Sequence, residues 1–154
     1  MSRLNPEYVR ITCEKTSESG YFRLLSMKLA NFGIGFSVVE IGAQEKHLQP
    51  FGVIHGGVFA SVIDAAAFWA VFGELDPDVG MTTVDLKINY LAPASSGKVI
   101  ARGKRIKMGK TIGLGEATVL DSSGRVLAHG ISTVMALPSQ NFLYDKMLPP
   151  KFID

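Results

Sequence analysis

The sequence has 154 residues, of which 47% are hydrophobic and 19% are charged, and its formal net charge is only +2. A chain of this length and composition forms one domain with a sizeable core, which excludes intrinsic disorder. The near balance of 16 basic and 14 acidic residues gives no field that would indicate a nucleic-acid partner. Because Cys13 is the single cysteine and residues 1–7 contain no apolar signal core, we expect a cytoplasmic protein without disulfides.

The first part of the chain predicts one short helix and two strands. Asn5-Pro6-Glu7 supplies the capping residue and the proline that are typical of a helix start. We expect this helix to cover about residues 6–19 and to end at Gly20. Residues 24–31 and 35–41 then predict two strands.

A long apolar helix is the clearest element of the sequence. Between Gly57 and Phe72 there is neither glycine nor proline, and five alanines favour a helix about 24 Å long. Its large apolar side chains lie all round the axis, which in a water-soluble protein indicates burial on every side. A membrane span is the alternative, but Asp64, the only formal charge between Lys46 and Glu74, would cost about 2.5 to 3.5 kcal/mol in a bilayer.

Four strands are predicted after this helix, at residues 84–90, 99–108, 112–120 and 126–137. Short links favour hairpins, so we expect the four strands to form an antiparallel meander. The tail, residues 138–154, contains no regular pattern and is expected to be irregular.

Together the elements predict an α+β fold in which a curved antiparallel sheet wraps around one long central helix. A single sheet covers only one side of a helix, so the apolar residues all round this helix also predict a second subunit. We expect a single domain at residues 1–154, with its core at about 25–137.

His55-Gly56-Gly57 stands immediately before the long helix. Two glycines allow a tight turn and a close approach of a ligand to the backbone, and the first N–H groups of a helix are free to bind an anion or a developing oxyanion. The other interpretation is a helix cap with a tight turn and no ligand.

Asp64 is a carboxylate among apolar neighbours, which is costly unless it has partners. It is therefore either satisfied structurally or used as a general base. Gly57 and Asp64 are seven residues apart and share one helix face, but they are about 10.5 Å apart along the axis. One substrate carbonyl cannot contact both, so cooperation would need Gly57 of one subunit and Asp64 of another across a two-fold axis.

Three stretches of this sequence resemble the hotdog-fold acyl-CoA thioesterases of the phenylacetic acid degradation (PaaI-like) type. These are residues 49–57 with Asp64 nine positions after His55, residues 82–93, which end in Tyr-Leu-Ala-Pro, and residues 109–111. The resemblance covers about residues 25–137. It implies the hotdog fold, hydrolysis of an acyl-CoA thioester, an oligomer with shared active sites (a dimer or a dimer of dimers), and no metal or other cofactor.

The same resemblance implies roles for individual residues. Asp64 would act as general base or nucleophile, and the Gly57 amide would polarise the thioester carbonyl. His55 would help to hold both the loop and the carbonyl. Gln49, where many relatives carry Asn, would contact substrate or water, and Thr83 or its neighbour would orient water. Further substrate contacts are implied for Gly56, Val58, Phe68, Thr82, Lys107, Gly109, Lys110 and Thr111.

Several alternatives stay open at this stage. The basic residues of one hairpin are either a site for coenzyme A phosphates or a solvated edge that opposes aggregation: Arg102, Lys104, Arg105, Lys107 and Lys110. The aromatic residues of the long helix are core first and an acyl pocket second. On the same fold, a non-catalytic acyl-CoA binding module is the main rival to a thioesterase, and a hydratase is a third possibility.

Other motifs are set aside. The spacing of Gly103 and Gly109 does not match a phosphate-binding loop, and there is no Gly-x-Ser-x-Gly elbow around Ser61. His47 and His129 lack metal-ligand spacing and are interpreted as surface or sheet histidines.

Overall fold

The computed structural model describes residues 3–154. Three helices are present: α1 (Pro6–Ser17), α2 (Gly20–Leu25) and α3 (Gly56–Phe72). Single 3-10 turns lie at Glu45–His47 and Asp145–Met147. The strands are β1 (Arg3–Leu4), β2 (Met27–Gly33), β3 (Phe36–Gly42), β4 (Val79–Tyr90), β5 (Lys98–Met108), β6 (Ile112–Asp121), β7 (Val126–Pro138) and β8 (Phe152–Ile153).

The main sheet has six antiparallel strands in the order β2-β3-β5-β6-β7-β4, and α3 packs against all six of them. The sequence prediction of an antiparallel sheet around one long helix is therefore confirmed. The helix begins at Gly56, one residue before the predicted start, and ends at Phe72 as expected. Within the described residues, no helix is both long enough and apolar enough to cross a lipid bilayer.

Glycines in three neighbouring strands allow α3 to lie close to the sheet. A Cβ on Gly103 would overlap the carbonyl oxygen of Ala66, and one on Gly115 would lie 2.7 Å from that of Ala67. A Cβ on Gly130 would lie 2.7 Å from the Ile63 side chain. Because real Cβ atoms do not approach so closely, a larger residue at Gly103 or Gly115 must push the helix backbone away from the sheet, and one at Gly130 must displace the Ile63 side chain or the neighbouring strand.

The predicted topology is wrong in one respect. Only β5, β6 and β7 form a meander, whereas β4 pairs with β7 at the edge of the sheet and does not contact β5 as a neighbour. The reason is the connection between β4 and β5, residues 91–97, which is long enough to cross the two intervening strands. Three strand spacings amount to about 14 Å.

The N-terminal region also differs from the prediction. Residues 20–25, part of which was predicted as strand 24–31, form α2 instead, and β2 starts at Met27. The partly buried side chains of Phe22 and Leu25 pack on the core from this short helix. Ser26, whose φ is 52°, adopts the left-handed conformation that ends α2 and turns the chain into β2.

The tail is more ordered than expected. Its last strand, β8, pairs with β1 near the N-terminus, and Phe142 stacks on Trp69 of α3 with ring centroids 5.8 Å apart. The chain's own tail thus covers one part of α3 that the apolar pattern assigned to a second subunit. A stripe of α3 that includes Ser61, Asp64 and Phe68 is only partly buried.

The two remaining histidines have structural partners. His129 lies in β7, as a sheet histidine should, and its Nε2 is 2.9 Å from Glu116 Oε2 of β6. His47 is neither on the surface nor in the sheet: it is buried in the turn before α3, where Nδ1 accepts from the Gln44 N–H at 2.9 Å and Nε2 donates to Leu25 O at 2.7 Å.

Candidate active site

Asp64 lies in the middle of α3, where two hydroxyl groups approach one of its carboxylate oxygens. Thr83 Oγ1 donates a hydrogen bond to Asp64 Oδ1 at 2.8 Å, and Ser132 Oγ lies 3.5 Å from the same atom. Among residues 3–154, no hydrogen-bond donor reaches Oδ2. The carboxylate is therefore held from one side by β4 and β7 and keeps a second oxygen free for a water molecule or a substrate.

A β-bulge in β4 aims Thr83 at Asp64. The pairing of β4 with β7 shifts register between Thr83 and Asp85. On the N-terminal side of the bulge, Met81 and Thr83 point toward α3, and on its C-terminal side Leu86 and Ile88 point toward α3. Val84, at the bulge, is exposed. The strict alternation predicted for residues 84–90 misses this shift, because a bulge adds one residue to one strand only.

Of the two neighbouring threonines considered from the sequence, the structure brings Thr83 to Asp64. Thr82, the residue before Thr83 in β4, is partly buried and makes no hydrogen bond with Asp64. Ser132 was not predicted. It occupies an inward position of β7 between Gly130 and Val134, so the alternation of residues 126–137 was the signal that could have identified it.

His55 caps the N-terminus of α3 through its side chain. His55 Nδ1 accepts a hydrogen bond from the Gly57 N–H at 2.8 Å, so the Gly57 amide, which was expected to be free for a carbonyl oxygen, is occupied in this protomer. The Gly56 N–H has no hydrogen-bond partner among the described residues. Tyr90 Oη donates to Gly56 O at 3.2 Å, which helps to orient the next peptide unit, the one that carries the Gly57 N–H.

The loop before α3 is held by hydrogen bonds between its own residues. The Gln49 side chain accepts from the Phe51 N–H, and the Gln49 N–H donates to Val53 O at 2.8 Å. Gln49 and Gly56 share a cleft of about 410 Å³ at the N-terminal end of α3, which Val53, Ile54, Phe59, Tyr90, Leu91, Ala92 and Pro93 also line. Val58, predicted as a substrate contact, is buried in the core and does not line this cleft.

A larger cavity of about 580 Å³ lies beside Asp64. Its walls are mainly apolar and aromatic and come from α1, α2 and the turn between them, β2, α3, β4 and the tail: Thr16, Ser19, Tyr21, Phe22, Met27, Ala60, Ser61, Ala65, Phe68, Trp69, Leu86, Phe142, Leu143 and Tyr144. The volume falls within the range of small-molecule sites. Phe68 and Trp69 therefore serve both the core and the cavity, and the contribution of the tail was not predicted.

A second hydroxyl pair lies one turn before Asp64. Ser61 Oγ donates to Gly57 O at 2.9 Å, as expected for a residue inside a helix. Tyr21 Oη lies 2.7 Å from Ser61 Oγ and, since the serine proton is already used, donates to it. This contact ties α2 to α3 at the mouth of the cavity.

The two halves of the predicted site do not meet within one protomer. Asp64 lines the larger cavity, whereas Gly56 and Gln49 line the cleft at the helix N-terminus. Eight residues of helix between Gly56 and Asp64 correspond to about 12 Å. A single carbonyl group cannot reach both the amide and the carboxylate of the same chain.

The residues predicted to contact coenzyme A lie on the hairpin between β5 and β6. Lys107, Gly109, Lys110 and Thr111 are all exposed at this hairpin. Arg102 and Lys104 are also exposed, but Arg105 forms an ion pair with Glu74, just beyond the C-terminus of α3. Arg105 is thus engaged within the chain, while the other four basic side chains face solvent.

Comparison with known proteins places this arrangement in a family. Residues 51–128, half of the chain, match the model of the thioesterase superfamily. A 1,4-dihydroxy-2-naphthoyl-CoA hydrolase from Listeria monocytogenes is 27% identical over 115 residues, which cover 75% of this chain and 94% of that protein. The acyl-coenzyme A thioesterase 13 of Pongo abelii is 26% identical over 121 residues, or 77% of this chain and 86% of the relative.

Solved structures show the same fold. A thioesterase from Haemophilus influenzae superposes with a TM-score of 0.77 at 22% identity, covering 84% of this chain and 90% of that chain. The residues matched by the family model, 51–128, include the helix that carries Asp64 and the loop that carries His55. The hotdog fold inferred from residues 49–57, Asp64 and residues 82–93 is confirmed, and the chain belongs to the thioesterase superfamily, among its PaaI-like members.

Proposed function

We propose that this protein hydrolyses an acyl-CoA thioester to the free acid and coenzyme A. The observation that carries the proposal is Asp64, which is held by Thr83 at the wall of an apolar cavity and keeps Oδ2 free. An apolar acyl group fits such a cavity, and a carboxylate beside it can act on the thioester carbonyl. Family membership and the names of the relatives, two of which hydrolyse CoA thioesters, support the same reaction.

In the proposed reaction, Asp64 acts as general base on water or as the nucleophile itself. As a base, it takes a proton from water while the water oxygen forms a bond to the carbonyl carbon. The tetrahedral oxyanion then collapses, the C–S bond breaks, and the leaving sulfur of coenzyme A takes the proton that Asp64 accepted. As a nucleophile, Asp64 displaces the sulfur to form an acyl–Asp64 anhydride; water then hydrolyses the anhydride to the free acid and supplies the proton of the thiol. Thr83 holds the carboxylate in place, which lowers the cost of positioning it at each turnover.

The oxyanion donor is proposed to be the Gly56 amide of a second copy of the chain. The Gly57 N–H is bonded to His55 Nδ1, whereas the Gly56 N–H has no partner within residues 3–154. Because about 12 Å of helix separates Gly56 from Asp64, the amide must come from another subunit. An antiparallel pair of α3 helices across a two-fold axis satisfies this requirement at two sites at once.

The coenzyme A moiety is proposed to bind along the β5–β6 hairpin. Lys107 and Lys110 are exposed there and can approach phosphate groups. Gly109 allows a close approach to the backbone, and the exposed Thr111 can offer its hydroxyl as a hydrogen-bond donor. Arg105 is excluded from this role because it pairs with Glu74.

The central experiment compares Asp64→Asn with Asp85→Asn, a matched change of an exposed carboxylate on β4. Free thiol release is measured on aromatic, short-chain and long-chain acyl-CoA esters. We expect Asp64→Asn to lower kcat by about 100-fold or more and Asp85→Asn to leave it unchanged. Full activity in Asp64→Asn would refute the mechanism, and tight binding of acyl-CoA without turnover by the wild type would identify a binding module instead.

The shared site is tested with Gly56→Pro. Gly56 is the first residue of α3, where proline is well tolerated, and its predecessor His55 (φ −63°, ψ 138°) already has the conformation that precedes proline. The variant therefore removes one N–H without breaking the helix, and Gly56→Ala controls for the contact of an added Cβ with Tyr90 at 3.1 Å. When the inactive Gly56→Pro protein is mixed with Asp64→Asn, hybrid dimers should restore some activity, because each contains one intact site. If activity does not return although subunit exchange is proven, the active sites are not shared between subunits.

A further inference from the structure

The cavity beside Asp64 ends at two phenylalanine rings. Phe68 and Phe142 line both this cavity and a second, smaller one of about 200 Å³. The second cavity lies toward the C-terminal end of α3, between Phe72, Val79, Met81 and Gln140. The two rings therefore form a partition between the large cavity, which Asp64 lines, and the small cavity, which Asp64 does not line.

We propose that Phe142, a residue of the C-terminal tail, closes the far end of the acyl cavity and thereby sets the longest acyl group that the enzyme accepts. This inference rests on the proposed function, because it takes the cavity at Asp64 as the acyl site. Asp64, Phe68 and Phe72 follow one another along the same face of α3 at intervals of four residues. A straight acyl chain that starts at Asp64 and runs along this face meets the Phe142 ring before it can enter the second cavity.

The Phe142 ring is held by other aromatic rings. It stacks on Trp69 at 5.8 Å and on Tyr144 at 4.9 Å, and it meets Phe72 at 5.3 Å. Tyr144 Oη in turn shares a hydrogen bond with Thr16 Oγ1 of α1 at 3.0 Å. The partition is thus a packed part of the tail, which gives the cavity a defined end.

The segment that follows Phe142 is anchored at the C-terminal end of α3. Lys151 Nζ donates to Phe72 O at 2.9 Å and to Leu75 O at 2.6 Å. Asn5 of the N-terminal segment donates its backbone N–H to Lys151 O and its side-chain amide to Pro150 O, both at 2.8 Å. These bonds fix the tail after the ring, and the Ser139 N–H, which donates to Asp78 O at 2.8 Å, fixes it before the ring. Phe142 therefore cannot swing away freely when a long chain enters.

The test measures kcat/KM over straight-chain acyl-CoA esters from butanoyl to hexadecanoyl. The wild type should show a steep fall beyond one chain length. In Phe142→Ala, which joins the two cavities, the fall should move to longer chains, and the ratio of kcat/KM for the first rejected ester to that for the last accepted one should rise about tenfold or more. Phe142→Leu, a milder change, should shift the profile in the same direction but less.

Met147→Ala is the matched control, because Met147 is an exposed apolar residue of the same tail that lines neither cavity. Its chain-length profile should equal that of the wild type. If neither Phe142 variant moves the profile while circular dichroism and the oligomeric state stay those of the wild type, the partition does not set acyl length and the inference is overturned.

Failure of this inference can be distinguished from failure of the proposed function. The ratio of kcat/KM values for two chain lengths can be measured whether or not Asp64 is the catalytic group. An active Asp64→Asn protein would therefore contradict the catalytic role of Asp64, and the dependence of kcat/KM on acyl length could still be measured. If the wild type hydrolyses none of the esters, binding of fatty acids of the same lengths reads the cavity directly, through the change in emission of Trp69, the single tryptophan. A shift of binding to longer acids in Phe142→Leu supports the inference, and an unchanged profile overturns it.

Discussion

Replacing Lys151 with methionine is expected to remove a pH dependence from the free energy of unfolding. Lys151 is 2% exposed, and its Nζ lies 4.0 Å above the Phe72 ring. The same atom donates to Phe72 O, at the last residue of α3, and to Leu75 O, just beyond it. Burial lowers the pKa of Lys151 to about 7, although Asp76 acts in the opposite direction. A neutral amine still has two protons, which is enough for both hydrogen bonds.

The sign and size of the effect follow from the two states of Lys151. An unfolded lysine has a pKa of about 10.4, so above pH 7 the unfolded chain binds one more proton than the folded chain. The free energy of unfolding therefore rises with pH, by up to about 1.4 kcal/mol per pH unit. Between pH 7 and pH 9 the gain amounts to about 2 kcal/mol. Below pH 7 both states are protonated, and this contribution no longer changes.

The assay is urea unfolding of the wild type and of Lys151→Met, followed by Trp69 fluorescence at one protein concentration and at several pH values from 6 to 9. The difference in unfolding free energy between the two proteins should grow by about 2 kcal/mol from pH 7 to pH 9. Burial raises the pKa of Cys13 to about 11, but Cys13 is present in both proteins and cancels. The two lost hydrogen bonds change the level of the curve, not its slope. A difference that stays constant across this range would refute the reasoning.

Two further predictions concern the site and the core. Thr83→Val removes the 2.8 Å hydrogen bond to Asp64 and should lower kcat about tenfold to a hundredfold, since a bond to a charged group is worth about 1.5 to 3 kcal/mol. Thr118→Val changes a partly buried threonine of β6 that lines neither the cavity nor the cleft; it should keep wild-type kcat in the same thiol-release assay, and equal losses in both would contradict the assignment. Gly103→Ala should destabilise the protein by about 1 to 3 kcal/mol because its Cβ overlaps the Ala66 carbonyl, whereas Gly42→Ala, with open space around its Cβ, should show no such loss in urea unfolding.

The central helix could be predicted from the sequence because its signals are local. A run without glycine or proline, rich in alanine and apolar all round, matches α3 (Gly56–Phe72) to within one residue. The three strands after residue 97 are also set by local alternation and short turns. The neighbour of β4 could not be predicted in this way, because pairing of β4 with β7 depends on how a seven-residue connection crosses the sheet.

In the candidate site, too, some residues could be predicted from local sequence signals and others depend on tertiary contacts. Asp64 and His55 stand out from the sequence because a charge in an apolar helix and a histidine before two glycines are chemical exceptions to their surroundings. Ser132 is an ordinary serine in a strand, and only its place opposite Asp64 gives it a role. Phe142 lies in a segment without periodicity, so no pattern of the chain relates it to Trp69, more than seventy residues earlier.

The low fraction of charged residues in the chain is explained in part by the position of α3. One side of the helix lies on the six-stranded sheet, and its C-terminal part is covered by the tail. The remaining stripe carries Asp64 beside the apolar cavity, and the proposed amide donor, Gly56, lies at the other end of the helix. One chain thus lines the cavity beside Asp64 but holds only half of the proposed catalytic groups within reach of it. If the proposed function is correct, we expect acyl binding to need one protomer and hydrolysis to need two.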